Sequence, residues 1–353
     1  MLENLLHLHT VPGDRVGDVF AGGEEGARGP SQDEIYGISN KSDYISRRKR
    51  KTIKDRYDLV RWQDKTGKSQ LKSKVEDNTA WVETIIRRFI NESPENTLKN
   101  GENEKAWDDP LVGFSNGADP LYMFYKQDIG EFYLLPIEVF SHSFPEVNAK
   151  PEELTVISWI LPHTEATKSE HRIQTKFPTE RWARARIYGE EVNDKLRKHV
   201  VETLRESGIQ AVAPQNSPLW ASKKSERYGF ASLWSERHAA YAAGLGTFGL
   251  CDGLITPKGK AMRCGSVIAK IDIPPSKRSY NDHHAYCLFY SKGTCGKCID
   301  RCPVGAISKA GHDKTKCSKY VNATWEYVRI HYGFKGYGCG LCQTGVPCES
   351  QIP

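Results

Sequence analysis

Cysteines are the residues of this 353-residue sequence best equipped for chemistry, and all ten lie between Cys251 and Cys348. Cys295, Cys298 and Cys302 run as Cys-x2-Cys-x3-Cys with Pro303 behind them, the spacing with which thiolates hold a cubane iron–sulfur cluster and reach to a second one. The usual first cysteine of such a run would fall on Lys292, so Cys287 replaces it from farther upstream. Cys317 and the run Cys339-x2-Cys342-x5-Cys348 supply four more thiolates. Eight ligands make two 4Fe-4S clusters. Crossover spacing assigns Cys287, Cys295, Cys298 and Cys348 to one and Cys302, Cys317, Cys339 and Cys342 to the other. The competing reading is a zinc ribbon on the two Cys-x2-Cys pairs, which uses four thiols and leaves Cys302-Pro303 unexplained. Cys251 and Cys264 are expected to be small buried hydrophobes.

Two clusters in reach of one another pass electrons singly, so they imply a donor outside the chain and an acceptor within it. Gly244-Leu245-Gly246-Thr247-Phe248-Gly249 matches a dinucleotide fingerprint, which needs a strand before it and a helix after it. The order here is inverted: Ser235–Ala243 is an Ala-rich helix former with a capping serine, and Cys251–Lys260 reads as loop. The stretch Gly253–Lys260 misses the phosphate-loop pattern by one residue and lacks the following Ser/Thr. What remains is a glycine-rich turn, a backbone of the kind that cradles a flat ligand or a phosphate through its N–H groups.

Several elements must position these residues. From Trp81 onward, Val82, Ile85, Ile86 and Phe89 mark an amphipathic helix, and the folded part is expected to begin there. Phe132–Phe140 and Thr155–Leu161 read as strands, the first interrupted by Pro136. Val192, Leu196, Val200 and Leu204 form one helical stripe that stops at Gly208, followed by a short buried strand over Ile209–Ala213. Ser266–Ile273 reads as another strand. This is an α/β or α+β chain. Three parts are expected: a basic, largely irregular arm over 1–75, a catalytic α/β domain over 76–275 and the cysteine-bearing domain over 276–353.

Composition narrows the class. Hydrophobic residues make up 38% and charged residues 27% of the chain, and no apolar run reaches the length of a membrane-spanning helix. No secretory leader opens the sequence, so the thiols point to a reducing compartment and metal ligation rather than disulfides, and a cytoplasmic location is expected. The net charge of +6 is uneven, because residues 41–75 hold 13 Lys/Arg against four Asp. Ser46-Arg47-Arg48 resembles a twin-arginine export signal, but charged residues follow where an apolar stretch is required. The arm could bind nucleic acid; a solvated face is the commoner use of such a run.

Ala243-Gly-Leu-Gly246, the Leu254-Ile-Thr-Pro257 segment, Gly259-x-x-x-Arg263 and the paired cysteine runs together resemble the cobalamin-dependent iron–sulfur reductases, the superfamily of epoxyqueuosine reductase and the reductive dehalogenases. The resemblance covers about residues 110–353. It implies a nitroreductase-like α/β core that binds base-off cobalamin, followed by a ferredoxin-like domain whose two 4Fe-4S clusters feed the cobalt. It also implies a cofactor-binding set of Glu236, Arg237, Gly244, Leu245, Gly246, Gly249, Thr256 and Gly259. The chain departs from both relatives. The position that looks like the proton-donating aspartate of epoxyqueuosine reductase is Phe230, and Gly249-Leu250 stands where the relatives have Gly-Lys or Gly-Arg. This marks a divergent branch.

The expected activity is reduction of a carbon–halogen or carbon–oxygen bond in a small organic substrate, with electrons from a ferredoxin- or flavodoxin-type donor. Tyr228, close to the lost aspartate, is the expected proton donor, Arg263 matches the dehalogenase arginine that would stabilise a developing anion, and His238 is a second donor candidate. Two alternatives stay open. One is a tRNA-modifying enzyme of the epoxyqueuosine reductase type, which the missing aspartate disfavours; the other is an electron carrier or flavoprotein without corrinoid, against which the long α/β segment argues.

Overall fold

The computed structural model describes residues 70–353, with side chains from Asn78 onward. The basic arm and the Arg47-Arg48 pair lie outside the described residues. Helix α1 (Gln70–Glu92) opens the chain, followed by β1 (Leu111–Asn116), α2 (Pro120–Ile129), α3 (Pro136–Ser143), β2 (Thr155–Pro162), α4 (Glu165–Arg172) and α5 (Glu180–Glu206). Next come β3 (Ala211–Val212), the hairpin β4 (Ser222–Ser225) and β5 (Gly229–Ser232), α6 (Glu236–Ala242), the pair β6 (Thr247–Phe248) and β7 (Leu254–Ile255), and β8 (Met262–Ala269). The remainder holds α7 (Leu288–Lys292), α8 (Lys297–Asp300), β9 (Ile307–Ser308), β10 (Gly311–His312) and α9 (Lys314–Tyr332).

The main sheet has the order β1-β2-β8-β3 with antiparallel neighbours, Ile157 facing Val267 and Pro162 facing Met262 in the central pair. Every residue of β2 is buried, because helices cover both faces of the sheet. The two-residue period sorts its side chains. Ile157, Trp159 and Leu161 join Val82, Ile86 and Ile90 of α1 and Val192, Leu196, Val200 and Leu204 of α5. Val156 and Ile160 join Tyr125, Val139, Phe140, Ala239 and Ala240 from α2, α3 and α6 on the opposite face. Helix α5 crosses β8 closely through Asn193, whose amide donates to the Cys264 carbonyl at 2.9 Å and accepts from the Trp159 indole at 2.9 Å.

Three expectations need correction. Residues 136–140 of the expected strand Phe132–Phe140 lie in α3: Pro136 occupies the first turn, where its missing N–H costs nothing, and Glu138 accepts from the Leu135 amide at 2.8 Å. This cap overrides the strand preference of Val139 and Phe140. The ordered part begins earlier than Trp81, since α1 already includes Gln70, inside the span expected to be irregular. Ser235 precedes α6 but does not cap it with its side chain; its hydroxyl pairs with His238 Nδ1 at 2.8 Å.

Candidate functional site

Between α7 and α9 the chain has little regular structure, and its turns set the thiols. Cys287 precedes α7, Cys295 sits in the turn between α7 and α8, Cys298 lies in α8, and Cys317 lies in the first turn of α9, which Asp313 caps by accepting from Lys316 N. Arg301 binds this region to the rest: its guanidinium donates to the carbonyls of Gln174, Leu341 and Thr344 at 2.7–3.1 Å. His171 donates from Nε2 to the Cys339 carbonyl at 2.8 Å, with its ring stacked on Trp182.

Two neighbouring cavities divide the thiols. Cys287, Cys295, Cys298 and Cys348 line a small one of about 20 Å³. Cys302, Cys317, Cys339 and Cys342 line a larger one of about 230 Å³ that also reaches Arg186, Arg237, Arg263, His163 and Trp182. Cys251 and Cys264 line the larger cavity as well. Among the described residues no three His, Cys, Asp or Glu side chains converge as a single metal ion would require. Two quartets of thiols around separate spaces nonetheless supply the all-sulfur, four-ligand donor set that a cubane cluster takes.

Cys251 is no inert hydrophobe. It is buried, and its sulfur accepts from the Lys260 ammonium at 3.3 Å. Hydrogen bonds from the Cys298 and Cys342 thiols hold Cys251 well below its ordinary thiol range. Burial works against the charge of Lys260, but the sulfurs of Cys251, Cys348, Cys298 and Cys342 outweigh it and hold the ammonium well above its usual range. Cys264 sits in the apolar core, with its sulfur 3.6 Å from that of Met262.

His312 faces Asp252, its Nδ1 donating to a carboxylate oxygen at 2.9 Å. Burial would lower the imidazole, yet the bonds to Asp252 and Cys317 push it up to about 10. Neither Lys260 nor the His312–Asp252 pair stands out in the sequence: a lysine type gives no sign of burial, and 60 residues separate the pair. Asp252 has a left-handed backbone (φ 58°) within the glycine-rich segment.

Of the expected catalytic residues, Arg263 lines the larger cavity, at 3.9 Å from Glu190 of α5. Glu190 also meets Arg197, fully buried, which contacts Asp194 and Glu236 as well. Glu236 therefore serves this buried charge network and accepts from Ser266, while Arg237 reaches the cavity and donates to the Asp252 carbonyl at 3.1 Å. Tyr228 and His238 lie outside that cavity's lining. The Tyr228 hydroxyl donates to Asp128 at 2.5 Å, and burial together with that carboxylate pushes its proton affinity up, which is unfavourable for an acid. Asp128, on α2, escaped sequence reasoning because 100 residues separate it from Tyr228. His238 is fully buried, its ring against Tyr125 and Phe248.

The glycines of the expected corrinoid cradle are packed closely against the chain. A side chain at Gly246 would collide with the Ile255 carbonyl, at Gly259 with that of Glu349, and at Gly244 would come to 2.9 Å from the Lys277 carbonyl. Gly249 lies 3.4 Å, by the same measure, from the Gly253 carbonyl, Leu245 is buried in the core, and the Thr256 hydroxyl donates to the Gly259 carbonyl at 2.7 Å. These residues are accounted for by chain packing. The larger cavity has a volume of about 230 Å³.

A mixed α/β core carrying two thiol-lined cavities against one end of its sheet is the class that fold and site define. Curated relatives narrow it. Epoxyqueuosine reductase of Bacillus cereus is 34% identical over 119 residues, and that of Bacillus anthracis 33% over 119, each match covering 32% of this chain and 29% of the relative. Over about a third of its length the chain is thus similar to epoxyqueuosine reductases. The match spans under a third of the length of those relatives. Among solved structures, a selenomethionine-labelled epoxyqueuosine reductase aligns over 80% of this chain and 69% of its own at 17% identity with a TM-score of 0.43. A catabolic reductive dehalogenase in complex with 3-bromo-4-hydroxybenzoic acid aligns over 77% and 37% at 14% identity with a TM-score of 0.44. No family model matches the chain.

Proposed function

We propose that this protein is an iron–sulfur reductase in which the quartet Cys287, Cys295, Cys298 and Cys348 and the quartet Cys302, Cys317, Cys339 and Cys342 each hold a 4Fe-4S cluster, residues 276–353 forming a ferredoxin-like domain. The observation that carries this reading is that the two quartets line different, adjacent cavities, the larger of which also holds Cys251 and Cys264 and opens among arginines. When bound, the clusters supply single electrons at low potential, taken from an external ferredoxin- or flavodoxin-type donor.

The chain's own residues shape the space beside the second quartet. Arg263 and Arg237 present cationic groups that bind a substrate anion or offset negative charge developing on it, and Glu190 orients Arg263. Trp182 and His163 stack at 4.1 Å and give that space an aromatic wall. A small organic molecule with an anionic group suits this lining. His312 holds Cys317 on one side and Asp252 on the other, which fixes the first turn of α9.

Cobalamin is the further cofactor that the resemblance implies. The residue roles above are derived without it. The tRNA-modifying reading rests on the curated relatives named epoxyqueuosine reductase and on no feature of the described residues.

Anaerobic purification, cobalamin addition and EPR spectroscopy before and after reduction test the proposal. Two interacting 4Fe-4S signals support it, and a cobalt(II) signal in addition restores the corrinoid. A chain that takes up zinc and no iron overturns it. Among the described residues no helix is long and apolar enough to cross a membrane.

A further inference from the structure

Lys260 lines both thiol cavities. It is 98% buried by its exposure of 2%, and a buried ammonium is costly unless fixed groups compensate it. The compensation here is sulfur. Its Nζ donates to Cys251 at 3.3 Å, and Cys251 in turn contacts one thiol of each quartet, Cys298 and Cys342. Its backbone amide donates to the carbonyl of Cys348 at 2.9 Å, and the next amide, of Ala261, donates to that of Glu349 at 3.2 Å. Gly259, with φ of 79°, lets the chain close onto Glu349, which is what brings the lysine between the two sets of thiols. No Asp or Glu side chain shares either cavity's lining, so sulfur is the negative side-chain partner of this ammonium there.

From this placement we infer that Lys260 is a fixed positive charge shared by the two centres, which raises the reduction potential of both and holds them close enough in potential for electrons to pass between them. The inference rests on the proposed clusters. Its physical basis is that net charge and hydrogen bonds to the sulfurs set cluster potentials, and that a charge acts strongly across a few ångströms of buried protein. Reduction adds one electron to a centre already carrying negative charge, and a neighbouring ammonium stabilises the reduced form more than the oxidised one. Lys260 is a positioning residue: it touches sulfur and no substrate.

The test is a redox titration of the reconstituted full chain followed by EPR, with iron and sulfide content measured in parallel. Lys260→Met keeps the length and removes the charge, and both midpoint potentials are expected to fall. Lys260→Arg keeps the charge and is expected to restore them toward the wild-type values. Lys260→Gln is the second neutral variant should the methionine protein fail to load. Full iron content with unchanged potentials in a neutral variant, or a shift confined to one centre, overturns the inference while leaving the clusters in place. A wild-type chain without iron overturns the proposed function as well, and the iron assay separates the two failures.

Discussion

The sheet region and the thiol region are held by opposite means. Around β2 and β8 the chain buries side chains on both faces, and regular hydrogen bonding satisfies the backbone. From Cys287 to Cys348 the elements other than α9 are five residues long or shorter, and the backbone is tied by single side chains: Arg301 to three carbonyls, His171 to Cys339 and Thr324 to Gly338. Apolar burial is spread over many contacts and is forgiving, whereas a region closed by a few polar anchors and by thiols depends on each of them. A metal centre is therefore expected to contribute folding energy to the second region and little to the first.

Withholding iron should give the largest contrast. Amide hydrogen exchange over Cys287–Cys348 is expected to accelerate by orders of magnitude in the iron-free chain, with β2 and β8 still protected; equal acceleration in both would erase the distinction. At the seam between the regions, Gly259→Ala places a methyl group against the Glu349 carbonyl at a left-handed position. A loss of about 4 kcal/mol is expected by urea unfolding, from overpacking and backbone strain together.

Acid acts on the anchors of the thiol region next. Burial pushes His171 down to about 3, so it is neutral when folded, while the unfolded chain takes up a proton near 6.5. The unfolded state binds more protons between these values, and stability falls as pH drops below about 6.5, by on the order of 3 kcal/mol at pH 4. His171→Gln should flatten that slope in an unfolding series across pH; an unchanged slope removes His171 from the account. Arg301→Ala leaves its carbonyl partners without a buried donor and is expected to cost about 2 kcal/mol and to loosen the Cys339–Cys348 segment. Ile330→Gln on the exposed side of α9, where the isoleucine is 60% exposed, should change stability by less than about 0.5 kcal/mol.

Legibility in the sequence followed the range of the interactions. Cysteine spacing is local, so the two quartets could be proposed from the chain alone, and the stripe Val192, Leu196, Val200, Leu204 announced α5. Helix α3 was misread because Val139 and Phe140 carry a strand preference, while the deciding signals, Pro136 in the first turn and Glu138 returning to Leu135, are a start motif. The glycines of 244–259 pointed to a ligand, yet carbonyls of Ile255, Lys277 and Glu349 occupy the space their side chains would need. Tight packing of chain on chain and close approach to a ligand demand the same residue. Lys260 and Asp128 were invisible for another reason: a charged residue acquires its role from partners distant in sequence, Cys348 for the one and Tyr228 for the other.

Arg301 has a consequence for the order of events. It lies one residue before Cys302, and the carbonyls it gathers come from the α4–α5 connection on one side and from Leu341 and Thr344 on the other. Until those later residues have left the ribosome, the guanidinium lacks two of these three carbonyl partners and the proposed second quartet lacks Cys339 and Cys342. On the proposed clusters, maturation is thus scheduled by the polypeptide: the sheet can close during synthesis, whereas the receptacle for iron is complete only after translation has passed the final cysteines.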